Sequence, residues 1–413
     1  MQSEHLMRGM DQTIEKCLNA KAIGDGLPAG PGSSGLLTGQ AGIAVFLNEM
    51  AQLDNSRVLE KASRDHFAAI LSVIPEQFLK VPLPDPSLVS GLSGIALALV
   101  MASRDGTRYQ KVLSEIDRHL LPLIHRYVAY CHSHPMHVRL YDLLYGLSGM
   151  LLYTLSRPGP EALAASEAIA EYFDSRTRAA VSPLQGFAIE QTQQSTPRHA
   201  KLYPRPTVDL GLAHGVAGVV ASLALALMAQ PTLKARFAPT LHLLTEGLVD
   251  QRLNNGEGAW PSHWTPEMPL QEHVPARIAW CYGIPGIASA LRLSSEALDA
   301  SQYRAIALEV LTGITPGLSS LTTSNLCHGS AGLLQVVERF GDPQLMPLAS
   351  QLRSMTLAQH DDLAPYGFWS EADPVSGQVA SMPLLLEGAL GVWLALTHSE
   401  LPNPLWDRAL ALA

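Results

Sequence analysis

The chain has 413 residues, 47% of them hydrophobic and 16% charged, against about 25% charged in an ordinary soluble domain. Its net charge of -9 with no basic run argues against nucleic acid as a partner, and no apolar run reaches the ~18 residues of a membrane span. Four cysteines in a chain of this length make no disulfide framework, and the polar, mixed-charge first twenty residues do not read as a signal peptide, so a reducing cytoplasm is the expected compartment.

The first expected element is an outer helix over roughly residues 4–19, with Cys17 in its packed face. From there a single pattern recurs seven times: Gly-x-x-Gly opening an apolar run, at Gly39/Gly42, Gly91/Gly94, Gly146/Gly149, Gly215/Gly218, Gly283/Gly286, Gly329/Gly332 and Gly388/Gly391. The runs are apolar all round, which reads as buried helix. Amphipathic stretches at 58–74, 109–130, 161–173 and 303–311 alternate with them and read as outer helices with one wet face. Self-similarity on this scale signals stacked repeats. Buried inner helices with polar outer partners favour closing the stack, so the expected fold is all-α, an α/α toroid of about seven inner and seven outer helices. Glycine at the repeat starts lets backbone approach closely and is expected to leave helix N-termini open to negative charge.

The intervals are uneven. Residues 179–209 and 254–276 are rich in proline and polar residues and show no helical period. They are expected to be an irregular or β-containing insertion, packed together as a small satellite on a single domain spanning 1–413. A further loop is expected at 361–381.

The repeat starts carry the chemistry. Cys281 stands two residues before Gly283, and Cys327 two before Gly329, with His328 following. Two thiolates and an imidazole suit zinc, and three protein ligands leave a fourth position open, as in catalytic sites. The competing reading is two small buried cysteines. His214, just before Gly215, is placed to act as a general acid or base, or else is a buried cap. Asp142, four residues before Gly146, could fix the tautomer of that imidazole or serve as an N-cap. Arg277 and Tyr282 could stabilise a developing negative charge, or be a surface charge and a packed aromatic. Cys131, His132, His134 and His137 form a short cluster that could bind metal but reads first as a solvated loop. His263 and His273 lie in the insertion without a companion pattern.

Taken together, Ala279-Trp280-Cys281-Tyr282-Gly283, Cys327-His328-Gly329 and Gly211-Leu212-Ala213-His214-Gly215 resemble the motifs of the lanthionine synthetase cyclases, in their stand-alone form, and the likeness runs through all seven repeats. The resemblance implies a toroid with one zinc ion per chain, held by Cys281, Cys327 and His328. It places His214, Asp142, Arg277 and Tyr282 at the other active-site positions and matches the family's insertion to the two irregular stretches. The implied activity is addition of cysteine thiols to dehydroalanine or dehydrobutyrine in a dehydrated precursor peptide. A separate dehydratase and an exporter are the implied partners, in a complex at the membrane. Ile284 stands where a second glycine is common, and Leu390 departs in the last repeat; neither is a ligand. Tyr282 stands where eukaryotic relatives usually have histidine, which favours the bacterial biosynthetic branch. The alternatives are a thiol transferase using glutathione and a non-catalytic, zinc-containing peptide-binding toroid.

Overall fold

The computed structural model describes residues 2–27, 31–81, 84–103, 106–253, 259–370 and 378–413. The first five positions of the stretch 254–276 and residues 371–377 of the loop expected at 361–381 lie outside the described residues. The chain forms two compact units, Met1–Asp117 with Ser319–Ala409, and Arg118–Leu318 with Leu410–Ala413.

In the first unit the inner helices are Gln40–Leu53, Leu92–Met101, Ser330–Phe340 and Ala389–Thr397. The second unit has Leu147–Leu155, Val216–Ala229 and Ile284–Leu298. Each starts directly after the first glycine of its Gly-x-x-Gly step. Nine of the ten residues of Leu92–Met101 are buried, because a helix without a polar face has nothing to offer solvent. The outer helix Arg57–Ile74 shows the other pattern: Leu59, Ala62, Phe67, Ile70 and Ile74 are buried at spacings of three to five, and it packs on Gln40–Leu53. A fully buried Leu, Ile or Phe of this kind contributes about 1.5–3 kcal/mol. Pro160–Arg178, Pro231–Asp250 and Ser301–Thr312 are the outer helices of the second unit. The two that begin with proline use it where a missing N–H has no cost.

Both glycines of the motif are required by space. A Cβ on the second glycine would sit 1.9–2.4 Å from the carbonyl oxygen six residues earlier at Gly42, Gly94, Gly218, Gly286, Gly332 and Gly391. The turn before each inner helix therefore folds back against the helix start. At helix starts of the first unit this corrects the expectation of open N-termini. In Leu92–Met101, the Leu92 and Gly94 N–H groups donate to the Asp85 and Ser87 carbonyls at 2.9 and 3.2 Å; in Ser330–Phe340, Ser330 and Ala331 donate to Thr323 and Ser324 at 3.0 and 3.2 Å. Those donors are already used. Gly283 alone among the first glycines has a positive φ, 110°, and its Cβ would lie 2.0 Å from the Arg277 carbonyl.

Backbone bonds stitch neighbouring turns together. In the second unit Leu143 N–H donates to the Ala213 carbonyl at 3.1 Å and Ala213 N–H to the Cys281 carbonyl at 3.2 Å. In the first unit Leu37 donates to Val89, Leu386 to Leu37, and both Leu326 and Cys327 to Leu386, at 3.1–3.2 Å.

The first helix is Gln2–Cys17 and not 4–19. It stops because Asn19 caps a new helix, Ala20–Gly26, accepting from Ala22 N–H at 3.1 Å. The helix expected at 109–130 is Gln110–Ser133 and takes in Cys131 and His132. In the second unit, the two proline-rich stretches meet in an antiparallel pair, Val208–Asp209 against His263–Trp264, with Asp209 opposite His263. Ile189 bridges Thr207 alongside. The first stretch also holds a six-residue helix, Pro197–Leu202, too short to register a period; Thr196 Oγ1 caps it by accepting from His199 N–H at 3.1 Å.

Candidate active site and metal-binding group

Asp142 ends the short helix Val138–Tyr141 and is completely buried. Its Oδ1 accepts from the Tyr145 and Gly146 N–H groups, both at 2.7 Å. Its Oδ2 lies 2.7 Å from His214 Nδ1. The carboxylate thus caps its own turn and holds the imidazole of another. The stitch between Leu143 and Ala213, one residue on from Asp142 and one before His214, sets the two side chains at this distance. Burial pushes the His214 pKa down, but the bond to Asp142 and the negative charges of Asp142, Asp209 and Cys281 outweigh it, so the value is raised above 6.5.

Tyr145 stacks at 6.1 Å from the His214 ring on one side, and Tyr282 lies tilted at 6.1 Å. The Tyr282 hydroxyl donates to Asp209 Oδ2 at 3.0 Å. Burial and then Asp209 push the phenol pKa far above its usual value. Asp209 is itself buried; its Oδ1 accepts from Gly211 N–H at 2.8 Å. His263 Nε2 stands 3.6 Å from Asp209 Oδ2, and its ring stacks on Tyr282 at 5.8 Å and on Tyr203 at 4.2 Å. Burial holds His263 below 6.5, against the pull of Asp209. His214, Asp209, His263, Tyr282 and Tyr145 line one cavity of about 310 Å³, with the insertion residues 194–196 forming part of its wall.

Asp209 and His263 are the members that sequence reasoning missed or left without companions. One signal existed: Asp209 stands six residues before Gly215, as Asp85 stands six before Gly91. It fell inside a stretch read as insertion.

Arg277 is exposed, and its Nη2 stands 3.7 Å from Cys281 Sγ. A cationic donor against a sulfur suits a thiolate. Asn325 Oδ1 accepts from the His328 N–H at 2.9 Å, and its amide nitrogen is 3.2 Å from His328 Nε2. Cys281, Cys327 and His328 form a group that could hold a metal ion: their ligand atoms, one from each, all lie within 4.8 Å of one another. No other such group occurs among the described residues. The cluster at 131–137 is therefore not one; Cys131 is buried facing the Leu140 carbonyl, and His137 Nδ1 accepts from Arg139 N–H. Two sulfurs and one imidazole, with a guanidinium beside one sulfur, fit zinc by the chemistry of the donors.

Residues 30–410 match the family profile described as lanthionine synthetase C-like protein. The chain belongs to the lanthionine synthetase C-like family. It is 26% identical over 310 residues to the nisin biosynthesis protein NisC of Lactococcus lactis subsp. lactis, covering 74% of this chain and 73% of that protein. The solved structure of a nisin cyclase superimposes with a TM-score of 0.79 at 22% identity, over 99% of this chain and 98% of the other. That likeness shows the fold, and its class is the all-α, α/α-toroid class expected from the repeats. The enzyme class expected from the sequence, a lanthionine synthetase, is the one to which the family and these relatives point. Among the described residues, no helix is long and apolar enough to cross a membrane.

Proposed function

We propose that this chain is a peptide cyclase that adds cysteine thiols to dehydroalanine or dehydrobutyrine residues of a dehydrated precursor peptide, closing lanthionine and methyllanthionine rings. The observation that carries the reading is the 2.7 Å bond between His214 Nδ1 and buried Asp142, opening on a 310 Å³ cavity. The names of the relatives, which concern nisin biosynthesis and its cyclisation, agree with it.

Cys281, Cys327 and His328 are the residues we assign to one zinc ion. Bound there, zinc supplies a positive charge that lowers the pKa of a substrate thiol from its ordinary value near 8.5. The chain's own residues do the rest. Asp142 keeps the proton of neutral His214 on Nδ1 and leaves Nε2 as the base. His214 Nε2 takes the thiol proton as sulfur adds to the β-carbon, and the alkene electrons move towards the carbonyl as an enolate. The same Nε2–H then returns the proton to the α-carbon, so sulfur and carbon exchange one proton through one ring. The raised pKa of His214 suits both halves of that exchange near neutral pH. Arg277 is the residue we assign to negative charge on the sulfur side.

We read residues 1–413 as one cyclase domain, with 179–209 and 254–276 as its satellite, because one family profile runs from 30 to 410. Dehydration and export fall to separate proteins, and the compartment is the cytoplasm, beside a membrane-associated complex.

The test uses the purified chain and a peptide dehydrated beforehand. Free thiols are counted by alkylation against an enzyme-free control, and rings are mapped by tandem mass spectrometry. Enzyme-dependent thiol loss with a defined ring pattern is expected, together with one zinc per chain by elemental analysis. A peptide whose thiols stay free while added glutathione is consumed means that the chain is a thiol transferase and not a cyclase.

A further inference from the structure

Tyr282 lines the cavity, and its sequence position suggests a proton donor to developing charge. The hydrogen bonding points the other way. A phenol has one proton, and that of Tyr282 goes to Asp209 Oδ2 at 3.0 Å. Asp209 is placed to keep it. The residue is buried, its Oδ1 is fixed by Gly211 N–H, and its strand is paired through His263. The ring is held between neighbours as well, with His263 stacked at 5.8 Å and His214 at 6.1 Å. What Tyr282 has left to present to the cavity is an oxygen lone pair.

We propose that Asp209 is a positioning residue that fixes the Tyr282 hydroxyl as a hydrogen-bond acceptor towards the cavity, where it receives a backbone N–H of the substrate peptide beside the dehydroamino acid. A peptide N–H is a donor that every such substrate carries. Holding it fixes which face of the alkene meets the thiol. The inference rests on the cyclase reading and adds a substrate contact to it. It also makes the insertion, which supplies Asp209 and His263, a part of the catalytic cavity and not only a satellite.

The deciding variant is Asp209→Asn, which keeps the shape and reverses the bond. With Oδ1 retained by Gly211 N–H, the new amide nitrogen donates to the phenol oxygen and turns the phenol proton into the cavity. Turnover is expected to fall about 10²-fold, the scale of a misplaced substrate, with zinc content and melting temperature unchanged. Tyr282→Phe is expected to show the same loss, and the double variant no further loss, because both remove one acceptor. Affinity for a dehydrated peptide with serine in place of cysteine is measured alongside, so that binding is separated from turnover; the loss is expected in turnover. Full turnover in Asp209→Asn overturns the inference, as do losses that multiply in the double variant. If Asp209→Asn does not fold, Tyr282→Phe carries the test alone, and full turnover there overturns it. A wild-type chain that closes no ring sinks the cyclase reading instead, whereas active wild type with an indifferent Asp209→Asn sinks only this inference.

Discussion

The turns that lead into Gly91 and Gly215 are built alike and do different things. Each has an aspartate six residues before the glycine, and each uses Oδ1 to accept from the N–H two residues on: Asp85 from Ser87 at 2.9 Å, Asp209 from Gly211 at 2.8 Å. The second oxygen separates them. In Asp85 it accepts from Ser90 Oγ at 2.9 Å, inside its own turn. In Asp209 it accepts from Tyr282, on another repeat. Asp142 and Asn325 repeat the lesson four residues before their glycines. Both accept through Oδ1 from the N–H three residues on, at 2.7 and 2.9 Å, and Asp142 then spends its other oxygen on His214. One oxygen builds the scaffold, and where the other polar atom of the side chain points decides whether a repeat start only folds or also takes part in the site.

Substitutions can press on that contrast at both ends. The largest expected effect is on the outward-reaching side: Cys327→Ala should empty the metal-binding group, taking zinc from one per chain to none by elemental analysis and abolishing ring formation above the spontaneous rate. His214→Asn should keep its zinc and lose 10²–10⁴-fold in cyclisation rate. The assay must compare ring patterns, since a misdirected spontaneous ring has the same mass. Normal rate and pattern in that variant would reduce His214 to a cap and blur the distinction between the turns. On the inward-facing side, Asp85→Ala should cost about 1–3 kcal/mol of unfolding free energy, the net worth of the two hydrogen bonds it accepts, by denaturant titration, and leave cyclisation untouched.

The smallest effect is a pH dependence. The folded-state pKa of His214 is raised above 6.5, chiefly because Asp142 outweighs burial. The stability from this pair is therefore complete below pH 6.5 and is lost as pH rises through the raised value. Asp142→Asn removes it. The stability gap between wild type and Asp142→Asn should narrow on going alkaline through that window, measured as urea midpoints at a series of pH values. A gap that widens reverses the sign and with it the assignment of charge to the pair.

Much of this was legible in the sequence because the repeat enforces it. Each Gly-x-x-Gly step marks a place where a Cβ has no room, so the seven inner helices could be counted before any was seen. Cys281, Cys327 and His214 stood out because they head repeats. Asp209 did not, since it lies at the edge of a proline-rich stretch whose pairing is between residues about fifty apart, and no local period reports such a bond. His263 had no visible companion for the same reason: its neighbours Tyr203 and Asp209 reach it across the antiparallel pair. Why the first helix ends at Cys17 was hidden too, because Asn19 is as ordinary in a helix tail as at a cap.

The stitched turns have a consequence for how the chain reaches its native state. Leu143, Ala213 and Cys281, joined in series by two backbone hydrogen bonds, stand about seventy residues apart along the chain. Each such closure loses loop entropy before any contact repays it, and contacts of this range slow folding. Individual hairpins can form early from local contacts, whereas the dyad of Asp142 and His214 exists only once distant turns have registered. Recovery of activity after denaturation should therefore lag recovery of helix content.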